Sequence, residues 1–401
     1  MQLSFWHKAR YWVLLLLIML LTVAFHAIII DMGKQVGLES GNILSPYIVM
    51  VFLALFVMCF NIQGILKSIT IRTSLFIVLF IFLAYQICAA VFGGRSMMSD
   101  LRAIGICIVA MMIGWQLDLD EKKYNISLLL FAVAITIIGV FQVTMNVGGF
   151  EILDQTQVEG KNSMGVLLAT SSVIYLLLGL NTESKPIVKM LLFALVVFVV
   201  VILLTIRARA AALTSAILVL YVLYDRFKGK NFFFYLIFGA FLLVIVYLIL
   251  PGSAKQYVIN SFIQNQEADI TAGRMARNRA GLQFVSEHLF LGNLNVGAKA
   301  EWIHNYPLDK LFRFGIVFAF PILLLYLYLL LKSVGNARRC NNRNNYNIGY
   351  FALLIPFTVS MAEPTLPFGP GTATVFNFIL FGMATRNTYN ERLLINQHRI
   401  E

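Results

Sequence analysis

Apolar runs of roughly 20 residues recur along this chain from one end to the other. Each is long enough, as a helix, to cross a hydrocarbon core of about 30 Å. Composition points the same way. Hydrophobic residues make up 60% of the chain and charged residues only 12%, against about 25% charged in a soluble domain. The sequence therefore reads as all-α, a polytopic transmembrane helical bundle.

About twelve spans are expected, near 11–30, 45–66, 73–92, 100–117, 125–146, 162–181, 186–206, 209–225, 232–250, 306–332, 347–362 and 372–386. The first is read as a retained span, since it is too long for a signal-peptide core and no small-residue cleavage site follows. The seventh and eighth are separated only by Thr205–Ile206–Arg207–Ala208–Arg209, and one bent helix is the alternative. Pro321 and Pro356 fall within spans and are expected to kink them. Residues 1–250 would hold spans one to nine, 251–305 a long exoplasmic loop, and 306–401 spans ten to twelve with a cytoplasmic tail. All belong to a single integral-membrane domain. The middle of the loop, Gly273 to Leu291, is expected to contain a helix, and the Pro/Gly-rich stretch Glu363 to Gly371 a rigid turn.

Short cytoplasmic loops retain Lys and Arg. Placing the N-terminus inside puts 18 of the 31 Lys and Arg on the cytoplasmic side and brings both termini there. The net charge of +12 is accounted for by that bias. No basic run lies in a soluble domain, so nucleic acid is not an expected partner. The four cysteines show no CxxC or Cys/His spacing, and neither a zinc site nor a disulfide framework is indicated. No Walker loop and no GxGxxG precedes a helix, so no cofactor is expected. No metal is expected either, because the exoplasmic side lacks a carboxylate cluster of ligand character. An obvious inverted repeat, which a transporter would favour, is absent.

Chemistry is expected where cations and an imidazole gather on one side of the membrane. Arg207 and Arg209 stand at a span start, where the helix dipole disfavours cations. They either snorkel to lipid headgroups or bind a phosphate or diphosphate, which suits the guanidinium fork. Arg274, Arg277 and Arg279 in the long loop pose the same choice between a solvated face and an anion site. His304, in the turn Trp302–Ile303–His304–Asn305, sits where the chain re-enters the membrane. An imidazole there can take a proton from a hydroxyl near neutral pH. Asn305 would orient it or cap the next helix, and Arg313 is a further candidate to face the pocket.

Several of these segments resemble those of the O-antigen polymerase and O-antigen ligase superfamily. Leu203 to Ala212 is similar to its T-x-S-R-G-A span start. Gly273–Arg274, followed by Ala280–Gly281–Leu282 and Gly292–Asn293–Leu294–Asn295–Val296–Gly297, looks like its G-R … W … G-x-G loop. His304–Asn305 with Leu308, Leu311 and Phe314–Gly315–Ile316 is similar to its H-N-x-x-L-x-x-L-x-x-x-G-I segment. The matching region runs from about Leu203 to Phe318, and earlier spans agree only in hydropathy. Three departures stand out. Ala208 and Ala210 replace a Ser and a Gly, Asn278 replaces the Trp, and Tyr306–Pro307 follow His–Asn where ligases often have Glu.

The resemblance implies a GT-C-like architecture and a metal-independent, inverting glycosyltransferase of the bacterial inner membrane. Its substrates would be undecaprenyl-diphosphate-linked glycans. Arg209 and Arg274 would hold the donor diphosphate and His304 would be the general base; Arg207, Arg277, Arg279, Asn305 and Arg313 are, from the residues themselves, the expected substrate-binding groups. Implied partners are the bilayer, a chain-length regulator and a flippase of the same pathway. Repeat-unit polymerase is the favoured expectation. A ligase that transfers the finished glycan to lipid A core is the nearest alternative, and a flippase of lipid-linked sugars a more distant one.

Overall fold

A computed structural model of the chain describes residues 73–92, 95–146, 161–181, 185–227, 230–249, 274–294, 303–339, 345–369 and 374–397, with isolated positions elsewhere. The regular elements among the described residues are helices. In chain order they are α1 (Thr73–Phe92), α2 (Arg95–Gln116), α3 (Glu121–Asn146), α4 (Lys161–Asn181), α5 (Pro186–Thr205) and α6 (Arg209–Arg226). Then follow α7 (Lys230–Ile249), α8 (Arg274–Glu287), α9 (Tyr306–Arg339), α10 (Ile348–Val359) and α11 (Val375–Gln397). Ten coincide with the third to twelfth expected spans, and α8 with the helix expected in the long loop. The second expected span and most of the first lie outside the described residues.

Among the described residues, four stretches are long and apolar enough to cross a membrane: Glu121–Val143, Asn162–Leu180, Pro186–Thr205 and Tyr306–Ala337. They give the chain the character of a membrane protein. The outward face of α7 adds to it. Phe233, Phe234, Ile237, Phe241, Val244 and Leu248 are all exposed at helical spacing. In water such a stripe would be a liability, whereas lipid is its natural solvent.

The chain folds as two compact units, each gathered from three stretches of sequence. The first comprises Met1–Ile43, Asp118–Ile270 and Asn342–Ile355. At its centre α4 is buried almost throughout, against α3, α5 and α6. Its hydroxyls are satisfied locally. Thr170 and Ser171 donate to the carbonyls of Val166 and Leu167, and Ser172 Oγ lies 2.5 Å from Ser215 Oγ of α6.

The direction of α5 and α6 decides between the two readings of the seventh and eighth spans. Gly179 near the end of α4 abuts Leu192 near the start of α5. Gly165 near the start of α4 abuts Ala208 and Ala211. Thus α5 runs antiparallel to α4, whereas α6 runs parallel to it. The chain reverses at Arg207, and α5 and α6 form a hairpin rather than one bent helix.

The second unit comprises Leu44–Leu117, Thr271–Asn341 and Pro356–Glu401. Here α2 and α11 approach backbone to backbone. A Cβ on Gly114 would lie 2.0 Å from the Ile379 carbonyl oxygen, and one on Gly382 would lie 2.1 Å from that of Met111. Small residues at such crossings let apolar helices pack closely without a hydrophobic driving force. The long helix α9 packs on α1 and α8. The residue that leaves helical geometry in α9 is Gly315, with φ 63° and ψ 175°, and not Pro321. That break is stitched to the end of the α8 segment. The Ile316 and Val317 amides donate to the carbonyls of Leu289 and Phe290, at 2.7 and 3.3 Å.

Candidate functional site

The site in the second unit is built around the start of α9. Asn305 caps that helix: its side-chain oxygen accepts from the Leu308 amide at 3.1 Å, and its backbone carbonyl from the Asp309 amide at 2.8 Å. Pro307 is tolerated because a first-turn amide has no intrahelical acceptor. The other end of the Asn305 amide donates to the Met361 carbonyl at 3.3 Å, and the Tyr306 amide donates to the Ser360 carbonyl at 2.9 Å. Of the two roles expected for Asn305, capping is therefore the one observed. These bonds tie the turn that leads to Glu363 alongside the turn that carries His304.

Helix α8 is seated on the same place. Its buried residues Gly281 and Val285 pack on Ile303, Leu308 and Phe312. Gly281 is needed for this approach, since a Cβ there would meet Ile303 Cδ1 at 2.7 Å. Arg277, one turn before Gly281, then reaches His304: Nη1 lies 3.1 Å from Nε2. Arg274, one turn earlier again, donates through Nη2 to Oε1 of Glu363 at 3.0 Å. A cation at the first residue of a helix faces the positive end of the dipole. The buried Glu363 carboxylate compensates it there.

The structure thus brings together Arg274, Arg277, His304 and Asn305. Arg279 lies on another side of α8, exposed, and among the described residues no hydrogen bond or ion pair holds it. Glu363 was not among the residues singled out by sequence. Its available signal was its isolation, as the sole carboxylate between residues 344 and 390, at the head of a Pro/Gly-rich turn.

Electrostatics favour a neutral imidazole. Burial, reinforced by the Arg274 and Arg277 guanidiniums, lowers His304 from an ordinary value of 6.5 to about 4. One negative charge on Glu363 faces two guanidiniums, so the group carries an excess positive charge suited to an anion. Among the described residues, no three His, Cys, Asp or Glu side chains gather as metal ligands.

Arg313 belongs to a different set. Its Nε donates to Asp309 Oδ1 at 2.8 Å. Lys310 Nζ lies 3.3 Å from Asp309 Oδ2 and donates to both oxygens of Asp100 at 2.9 and 2.8 Å. Arg313, Asp309, Lys310 and Asp100 form a neutral chain of alternating charges linking α9 to α2.

Arg207 and Arg209 lie in the first unit. Arg209 is the first residue of α6. Arg207 occupies the turn before it with φ 59°, in the left-handed region, with its side chain buried. The Arg207 amide donates to Leu204 and the Ala208 amide to Leu203, at 3.1 and 2.9 Å. This pair of bonds is the Schellman ending of α5, and Arg207 holds the position where glycine is usual. Left-handed geometry costs a residue that carries a side chain about 1–2 kcal/mol. Arg207→Gly should be more stable than Arg207→Ala by about 1 kcal/mol, read as the difference in their thermal unfolding midpoints. Equal midpoints would show that the turn carries no such strain.

No protein-family model matches this chain, and none of the curated proteins matches it.

Proposed function

We propose that this chain is a polysaccharide repeat-unit polymerase of the bacterial inner membrane. It would move a growing glycan from undecaprenyl diphosphate to the next lipid-linked unit by inverting, metal-independent transfer. In this reading the chain has about twelve spans in a GT-C-like arrangement, its termini are cytoplasmic, and the loop before α9 is periplasmic. The observation that carries the proposal is the cluster at the head of a membrane-length helix. There a neutral imidazole is bound by the Arg277 guanidinium, and the Arg274 guanidinium, one turn away on α8, is paired to Glu363.

The chemistry follows from those groups. A hydroxyl of the acceptor sugar attacks the anomeric carbon, forming the new C–O bond. The bond from that carbon to the diphosphate oxygen breaks, and the leaving group takes the electron pair. His304 accepts the hydroxyl proton. Arg274 stabilises the charge on the departing diphosphate.

His304→Ala and Arg274→Ala should each abolish transfer while the protein remains in the membrane. The check is a gel of surface glycan from deletion cells complemented with each variant. A single repeat unit on its normal acceptor is the expected result. Long polymer left on the lipid carrier would instead identify a ligase, which shares the chemistry and differs in acceptor. A normal ladder would remove the residue from the mechanism.

A further inference from the structure

His304 as placed has no free basic nitrogen. A neutral imidazole carries one N–H and one lone pair. The Arg277 guanidinium can only donate, so Nε2 must be the acceptor. The proton therefore resides on Nδ1, which is buried and has no hydrogen-bond partner among the described residues. The opposite tautomer would set two donors face to face. Arg277 thus fixes the tautomer and occupies the one lone pair that could receive a proton.

The bond is also one that an anion can break. Among the described residues Arg277 pairs with no carboxylate, unlike Arg274, which is held by Glu363. A neutral imidazole is a weaker partner for a guanidinium than a phosphate oxygen, which accepts charge-assisted and often bidentate bonds. Arg277 is exposed on α8 and sits one turn from Arg274, so it has room to turn to a ligand held between them.

We infer that Arg277 masks the basic nitrogen of His304, and that a diphosphate group drawing this guanidinium away uncovers it. Arg277 is then a positioning residue that acts through His304. The base would become available only when the leaving group is in place, which protects the site from idle proton transfer. This inference rests on the polymerase reading and specifies how its substrate arms the site.

Diethyl pyrocarbonate, which acylates an imidazole lone pair, tests it in the full-length protein in lipid nanodiscs. Carbethoxylation of His304 is measured by mass spectrometry at pH 7, with His288 in the same sample as reference. Arg277→Ala should raise the His304 to His288 rate ratio about tenfold, the worth of a hydrogen bond to a charged group. Arg277→Lys, which still donates, should restore a low ratio. Inorganic pyrophosphate should raise the ratio in the wild type and leave it unchanged in Arg277→Ala. An unmoved ratio in Arg277→Ala, or a wild-type ratio that pyrophosphate lowers or leaves alone, overturns the inference. The two readings fail separately. If the ratios move but cells with His304→Ala make a normal glycan ladder, the polymerase reading falls and the masked imidazole remains. A lost ladder with unmoved ratios removes the masking alone.

Discussion

Gly315→Ala should destabilise the second unit by about 3 kcal/mol or more, a magnitude reserved for backbone collisions and comparable faults. Gly315 has φ 63° and ψ 175°, a conformation that is essentially glycine's alone. A Cβ at that position would stand 2.2 Å from the Phe290 carbonyl oxygen and 2.5 Å from the Leu291 nitrogen. Neither neighbour is a flexible side-chain end that could swing away. The opposing residue is itself constrained: Gly292 has φ 56°, and a Cβ there would lie 2.4 Å from the Gly315 nitrogen. The two glycines interlock. Moving either one pulls the Ile316 and Val317 amides from the carbonyls of Leu289 and Phe290. Gly335 on the same helix is the matched control, because nothing lies within 4 Å of its added Cβ. Alanine there should be neutral or stabilising by up to about 1 kcal/mol. Thermal unfolding of the two variants in detergent separates them, and equal midpoints would mean that the interlock carries no stability.

That interlock shows what the sequence could and could not disclose. Apolar runs are local and periodic, so the helices near 73–92, 162–181 and 306–332 were legible from residue order alone. The Asn305–Tyr306–Pro307 start of α9 was legible for the same reason, since an N-cap is a local device. In α9 the residue that composition marks for a kink is Pro321, because proline is the usual cause. A proline still fits a helix if its missing donor is tolerated. Gly315, by contrast, breaks the helix because a distant loop supplies acceptors for the two amides that follow it. No rule of composition points to that loop. The turn at Arg207 was legible in part. The polar residues Thr205 to Arg209 divide two apolar runs, as the structure bears out, but Thr205–Ile206–Arg207–Ala208 contains no glycine, proline or asparagine, so one bent helix stayed open as the alternative. Arg274 and Arg277 were legible as cations with an imidazole nearby. Their division of labour was not, because it depends on Glu363, 89 residues further along.

Lys310→Met should destabilise the second unit by about 1–3 kcal/mol, the cost of leaving a polar partner unpaired when that partner, Asp100, is 21% exposed and keeps some hydration. Lys310 is only 3% exposed and Asp309 1%. The ammonium donates to both oxygens of Asp100 and also lies 4.9 Å from the centre of the Tyr306 ring. Removing it leaves Asp100 without those two bonds, while Asp309 keeps Arg313 at 2.8 Å. The burden therefore falls mainly on Asp100, and this makes the prediction specific. A second change, Asp100→Asn, should recover most of the loss, because the stranded carboxylate is then gone. Asp309→Asn in the same background should recover little, since its charge remains compensated. Double-mutant cycles on unfolding midpoints read these couplings directly. Coupling of Lys310 to Asp309 larger than to Asp100 would contradict the geometry. Loss of stability in Lys310→Met that neither partner change repairs would mean that the ammonium acts through its cation–π contacts with Tyr306 and Phe314. Because the network is neutral as a whole, replacing all its members with apolar residues would cost far less than removing one. The ion pair between Lys310 and Asp100 thus fixes the register between α9 and α2 at the end of α9 that follows His304.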